Sequence, residues 1–376
     1  MSVHGLLQLQ AGHAFDPAPR HGELYALHVP FDDLTGGGGC EQVLGAALSR
    51  GERVAVVGSS GCGKSSVISH VLNPLVEGLA PLPVPVAIED PQVATSAVAF
   101  AAHLVRTVAR YVEYALPQAG VDAEAVALRT SREIAPPRRT RSSRLSVAPS
   151  WMGARVELAA ELRSASERWP VERPGQEIID EAQAILDVVT AHGLRPVVVL
   201  DDTDKWLQLP GLPDPGELMT AFFAQVPRLL SEQLATATVI AVHENYLGQP
   251  GYRASAGFLE STVRVPAVPD HAGLARILSR RAAAHLDEEF TELMTEPALE
   301  ALMEHYAAGA TADLRRRVLF VAHTALTRAC DEGADLIAFR HVELAINECA
   351  PEERADPSAD PRADPSVDPR VDGARQ

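Results

Sequence analysis

With 376 residues, 46% of them hydrophobic, the chain has apolar material for one large domain or for two to three smaller ones. A net charge of −17 excludes a general basic coat for nucleic acid, though not a local basic patch. The four cysteines, Cys40, Cys62, Cys330 and Cys349, are too scattered for metal-ligand spacing or a disulfide framework, and are expected as free thiols.

The first fifteen residues lack a basic region followed by an apolar stretch, and no run approaches the roughly 20 apolar residues that span a bilayer. A soluble, cytoplasmic protein with no membrane partner is expected. Residues 1–28 have weak periodicity and are read as a separate N-terminal segment. Residues 30–39, with Phe31, Asp32, Asp33 and a run of glycines, read as a loop. A short amphipathic helix follows over 41–49, with Val43, Leu44, Ala47 and Leu48 on one side and Gly51 at its C-cap.

The β-branched run at 53–57 reads as a buried strand. It leads into GSSGCGKS, which fits the phosphate-loop pattern G-x-x-x-x-G-K-[S/T] at every defined position, and then into a helical pattern. Glycines let the backbone wrap a phosphate, while amides and the helix N-terminus supply positive potential. The candidate nucleotide-binding residues are Gly58, Ser59, Ser60, Gly61, Cys62, Gly63, Lys64, Ser65 and Ser66. Lys64 is expected to reach the β- and γ-phosphates and Ser65 to ligate magnesium. The chain has only one other lysine, Lys205. Lysine therefore stands where a compact ammonium is needed and a planar guanidinium would not substitute.

A second strand is expected over 83–88, its prolines suggesting an edge or a strand start. A long helix over 95–116 presents Val98, Ala102, Leu104, Val105, Val108, Tyr111 and Val112 on one face. Residues 129–144 carry six arginines among Ser, Thr and Pro, which reads as a solvated basic loop or a contact for nucleic acid or an acidic partner. Helices are expected over 154–169 and 177–192. The strand PVVVL then ends in Asp201 and Asp202, four apolar residues before two acids. A parallel strand delivers its C-terminal residues to the ligand edge of an α/β sheet. Asp201 is expected to hold magnesium through water, and Asp202 to act as base or water-orienting residue. A helix over 215–230 and a strand over 238–242 follow; His243 and Asn245 stand just past that strand. A short strand over 263–265 precedes an all-helical region with helices over 271–286, 296–307, 311–329 and 340–349. Residues 351–376 repeat Asp-Pro every four residues and read as a disordered tail.

These motifs resemble an AAA+ ATPase, nearest to the origin-recognition branch and its STAND-type relatives. The resemblance runs from about residue 29 to 350. It rests on PFDDL…EQVLGAALSRGERVAVVGSSGCGKSS, PVVVLDDTDKW, TVIAVHEN, RVPAVPD and GATADLRRR. It implies an α/β fold: a P-loop NTPase parallel sheet flanked by helices over 29–266, then a helical lid over 267–350. The stretch at about 120–192 departs from the pattern as a basic, helical insertion. The resemblance also implies that Arg315 is the lid arginine that meets the γ-phosphate, and that His243 or Asn245 lies at the polar sensor position of the core. Arg253 and Arg264 are candidates to complete a neighbouring subunit's site. The cofactors implied are ATP and Mg2+. The function implied is an ATP-hydrolysing switch or remodelling subunit that self-assembles, or pairs with a related ATPase, and acts on a protein or nucleic-acid partner. No DNA-binding winged-helix domain is expected after the lid, a departure from the replication-initiator pattern. A non-hydrolysing nucleotide sensor and a small-molecule kinase are the alternatives.

Overall fold

The computed structural model describes residues 3–17, 24–35, 39–73, 81–88, 90–114, 175–191, 195–201, 203, 215–286, 292–308 and 314–349. Several expectations lie outside these residues: the arginine segment 129–144, the helix over 154–169, Asp202, the start of the helix at 311–313, and the tail.

Five strands form one parallel sheet: β1 (Arg53–Gly58), β2 (Pro81–Pro85), β3 (Arg195–Leu200), β4 (Ala237–His243) and β5 (Ser261–Arg264). Their spatial order is β2-β3-β4-β1-β5. Burial on both faces explains why the central strands read as unbroken apolar runs. Within them, alternation sorts the side chains. Ala55, Val57, Val198, Leu200, Ile240 and Val242 enter one hydrophobic cluster. Val54, Val56, Val197, Val199, Val239 and Ala241 enter the other. The proline-rich β2 pairs only with β3, so its missing N–H groups fall on a sheet edge.

On the first face lie helices Pro91–Thr95, Ala97–Tyr114, Gly175–Ala191 and Pro215–Glu232. Phe100, Leu104, Ile185, Phe222 and Phe223 fill the space between them and the sheet. Helix Gly175–Ala191 leads into β3 and packs in this layer, so that end of the expected insertion is part of the core. A short helix, Pro91–Thr95, precedes the long helix expected over 95–116, which is described over Ala97–Tyr114. Ser96 between them is extended, and Asp90 caps the first by accepting from Gln92 N–H.

The other face is covered by α4 (Cys40–Ser49) and α5 (Lys64–Val71). Leu44, Ala47 and Leu48 of α4 are buried as expected, but Val43 is exposed, so the buried face is rotated away from it.

The lid comprises His271–Ala283, Glu296–Ala308, Leu314–Asp331 and Phe339–Cys349. The N-terminal segment corrects the sequence reading. Residues Val3–Ala11 form a helix, α1, whose Leu6 and Leu9 are fully buried in the lid cluster, with Ala14 and Phe15 just after it. A nine-residue helix spans only two to three turns, too few for a clear 3.6-residue period. Residues Leu24–Leu27 (α2) and Phe31–Thr35 (α3) are also short helices, where the sequence read only a loop or no element.

Candidate functional site

β1 delivers Gly58 at the ligand edge of the sheet, and the loop turns from there into α5. Two glycines are required by geometry. A Cβ on Gly58 would collide with Cys62 Sγ. Gly63 has φ of 103°, in the left-handed region, and a Cβ there would lie 2.5 Å from Arg315 Nη1. Lys64 is buried, and its ammonium donates to the carbonyls of Gly58 (3.1 Å) and Ser59 (2.9 Å).

A cavity of about 400 Å³ opens beside the loop. Ser60, Gly61, Gly63, Lys64, Ser65, Ser66 and Asp201 give one wall; Arg281, Tyr306, Arg315 and Arg316 come from the lid. Leu24, Leu27, Val268, Leu274 and Ile277 line its apolar part. Asp201 reaches the cavity from β3 although β4 lies between β3 and β1.

Arg315 is the lid residue that reaches the loop, against Gly63. Its Nη2 donates to Pro266 O at 3.1 Å, and its guanidinium carbon sits 4.5 Å from the Phe31 ring centroid. Its Nε is enclosed and has no hydrogen-bond partner among the described residues. Burial holds Arg315 below the ordinary guanidinium range, only partly offset by Tyr306, Cys62 and Cys40. Arg281 is buried, which pushes it down to about 10, with Asp16 opposing; its Nη1 donates to Asp16 O at 2.7 Å. Burial raises the Cys62 thiol against the pull of Lys64 and Arg315, and burial with neighbouring Glu41 pushes Cys40 up to about 12. Both are therefore neutral thiols, not thiolates.

Among the described residues neither Lys64 nor Arg315 has a carboxylate partner. A buried lysine and a half-buried arginine without a described counter-charge, set around a glycine loop, suit a polyanion. No protein-family profile and no curated protein matches the chain. Solved structures do. The chain is similar to the ORC2 protein of Aeropyrum pernix in its ADPNP–ADP complexes, at 14% identity and a TM-score of 0.45. That match covers 83% of this chain and 66% of the ORC2 chain. It is similar to Cdc6p of Pyrobaculum aerophilum at 16% identity and a TM-score of 0.42, covering 90% and 70%. The ADP form of ORC2 matches at 15% identity and a TM-score of 0.43, covering 82% and 66%. The chain thus spans just under two thirds of the length of the ORC2 protein.

The other sensor candidates lie elsewhere. His243 ends β4 in register with Gly58 but is not among the cavity-lining residues. Its Nδ1 accepts from the Asn245 N–H at 3.2 Å, closing a short turn on which Asn245 is exposed. Arg253 and Arg264 are both exposed. No helix among the described residues is long and apolar enough to cross a membrane. No described cluster of three or more His, Cys, Asp or Glu could hold a metal ion unaided. Ser65 and Asp201 nonetheless share the cavity wall, and their oxygens suit magnesium, which takes few protein ligands beside substrate phosphates.

Sequence reasoning missed Phe31, His28, Glu41, Arg281 and Tyr306. Phe31 was visible within PFDDL, but as a loop residue, and nothing in its neighbourhood indicated a guanidinium partner from residue 315.

Proposed function

We propose that the chain is an AAA+-type, magnesium-dependent ATPase in which the helical lid closes on a nucleotide triphosphate held by the phosphate loop. The observation that carries this is the convergence of Lys64 and Arg315 on the loop, without carboxylate partners among the described residues. Lys64 binds the phosphate chain. Ser65 and Asp201 would hold magnesium, which would supply charge neutralisation to the phosphates. Arg315 supplies the second cation where negative charge is greatest. Asp202 orients or deprotonates the attacking water. The apolar wall of Leu24, Leu27, Leu274 and Ile277 suits the flat face of a base. Binding that draws Arg315 toward the loop sets the angle between core and lid, and so gives a partner something to read. We propose that this partner is a second copy of the chain or a related ATPase, with Arg253 or Arg264 completing the neighbour's site.

Phosphate release from MgATP by the full chain, compared with Asp202→Asn, tests this reading. The expected result is that the variant binds a labelled ATP analogue as the parent does and hydrolyses at least about a hundredfold more slowly. Light scattering on ATP-loaded Asp202→Asn should show association. Tight binding with no phosphate release by the parent chain would favour the nucleotide sensor instead.

A further inference from the structure

We propose that Phe31, Glu41 and His28 form a positioning device that holds Arg315 over the phosphate loop and ties it to the first turn of α5. The proposal rests on the reading of Arg315 as a γ-phosphate ligand, and adds the residues that put it there.

The links are continuous. Ser66, in the first turn of α5, has its Oγ 2.8 Å from His28 Nδ1. His28 Nε2 lies 2.9 Å from Glu41 Oε1. The same carboxylate oxygen accepts the Phe31 N–H at 3.0 Å. The Phe31 ring, fully buried, turns its face to the Arg315 guanidinium at 4.5 Å, and its edge relation to His28 spans 6.4 Å. Arg315 then stands against Gly63. The path leaves the loop helix, crosses the segment before the sheet and returns to the loop through the lid.

Each link does something packing alone would not need. Burial by itself raises the Glu41 carboxyl, yet the bonds from His28 and from backbone N–H groups outweigh it and hold the group below its ordinary value. Glu41 is therefore ionised and only accepts, which obliges His28 Nε2 to be the donor. That fixes the His28 ring and leaves its Nδ1 for Ser66. The Glu41 bond also satisfies the first N–H of α3, so it sets where Phe31 begins its helix. A face-on ring attracts a guanidinium electrostatically and favours its place above the ring. Arg315 Nη2 is occupied by Pro266 O, and its enclosed Nε still lacks an acceptor. A movement of α5 when phosphate enters the loop would thus reach Arg315 through side chains, without requiring the core to deform.

The test titrates full-length protein with a fluorescent, non-hydrolysable ATP analogue and with fluorescent ADP. Because Arg315 is read as meeting only the γ-phosphate, its placement appears in the ratio of the two affinities. Phe31→Leu keeps the site apolar and removes the ring. It is expected to lower the preference for the ATP analogue by about 3–30-fold while ADP affinity changes by less than about twofold. In an Arg315→Ala background, Phe31→Leu should change the ratio no further. Equal loss of both nucleotides, or the same loss in the Arg315→Ala background, would mean that Phe31 is merely structural, and would overturn the proposal. Should Phe31→Leu fail to fold, Glu41→Gln carries the same comparison: a lowered ratio that vanishes in the Arg315→Ala background supports the device, and an unchanged ratio overturns it. If Arg315→Ala itself leaves the ratio unchanged, the role given to Arg315 fails, and the device falls with it.

Discussion

The two halves of the site are built in opposite ways. The phosphate loop comes from consecutive residues between β1 and α5, and its geometry is local: a left-handed Gly63, a collision-limited Gly58, and a lysine folded back on the loop's own carbonyls. The facing wall gathers Arg281, Tyr306 and Arg315 from separate lid helices, with Phe31 packed behind Arg315, and it depends on the lid's packing. The contrast separates two kinds of sensitivity. The loop is vulnerable to backbone substitution at a few positions, whereas the facing wall is vulnerable to anything that shifts a helix.

The largest effect should come from breaking the local half. Gly63→Ala forces a side chain into a left-handed backbone, at a cost of roughly 1–2 kcal/mol, and pushes its methyl into the Arg315 guanidinium. Nucleotide affinity should fall by about tenfold or more, with global stability changing by no more than about 2 kcal/mol; calorimetric titration and thermal unfolding read the two separately. Unchanged affinity would mean that the loop does not bind in this conformation.

A smaller effect on binding, but a large one on the lid, is expected from Leu6→Ala. Leu6 is fully buried among lid helices, and emptying such a site costs about 2–5 kcal/mol. Hydrogen exchange should accelerate through Glu296–Ala308 and Leu314–Asp331, while the β1 and β4 amides keep their protection. If exchange stays at the parent rate in those helices, the N-terminal helix does not belong to the lid's core.

The same contrast explains what the sequence could reveal. Gly58 to Ser65, and Asp201 at the end of β3, were legible because one short stretch carries both the secondary structure and the chemistry. The parallel sheet was legible because burial on both faces leaves uninterrupted β-branched runs. The helix at Val3–Ala11 was not, since Leu6 and Leu9 acquire meaning only against lid residues such as Val318 and Ala322. Phe31 reads as part of a loop because its helix is five residues long and its partner, Arg315, lies far along the chain. Arg315 itself could be picked out only through the family resemblance of its motif.

The central claim is that a local cation and a remote one grip different parts of the same nucleotide. It is tested most directly by measuring the affinities of ADP and of a non-hydrolysable ATP analogue, with magnesium, for the parent chain, Lys64→Ala and Arg315→Ala. Lys64→Ala should lose both nucleotides. Arg315→Ala should keep ADP within about threefold of the parent and lose about tenfold or more for the ATP analogue, the scale of one charge-assisted contact to phosphate. Equal losses for both nucleotides in Arg315→Ala, or no loss for either, would contradict the account.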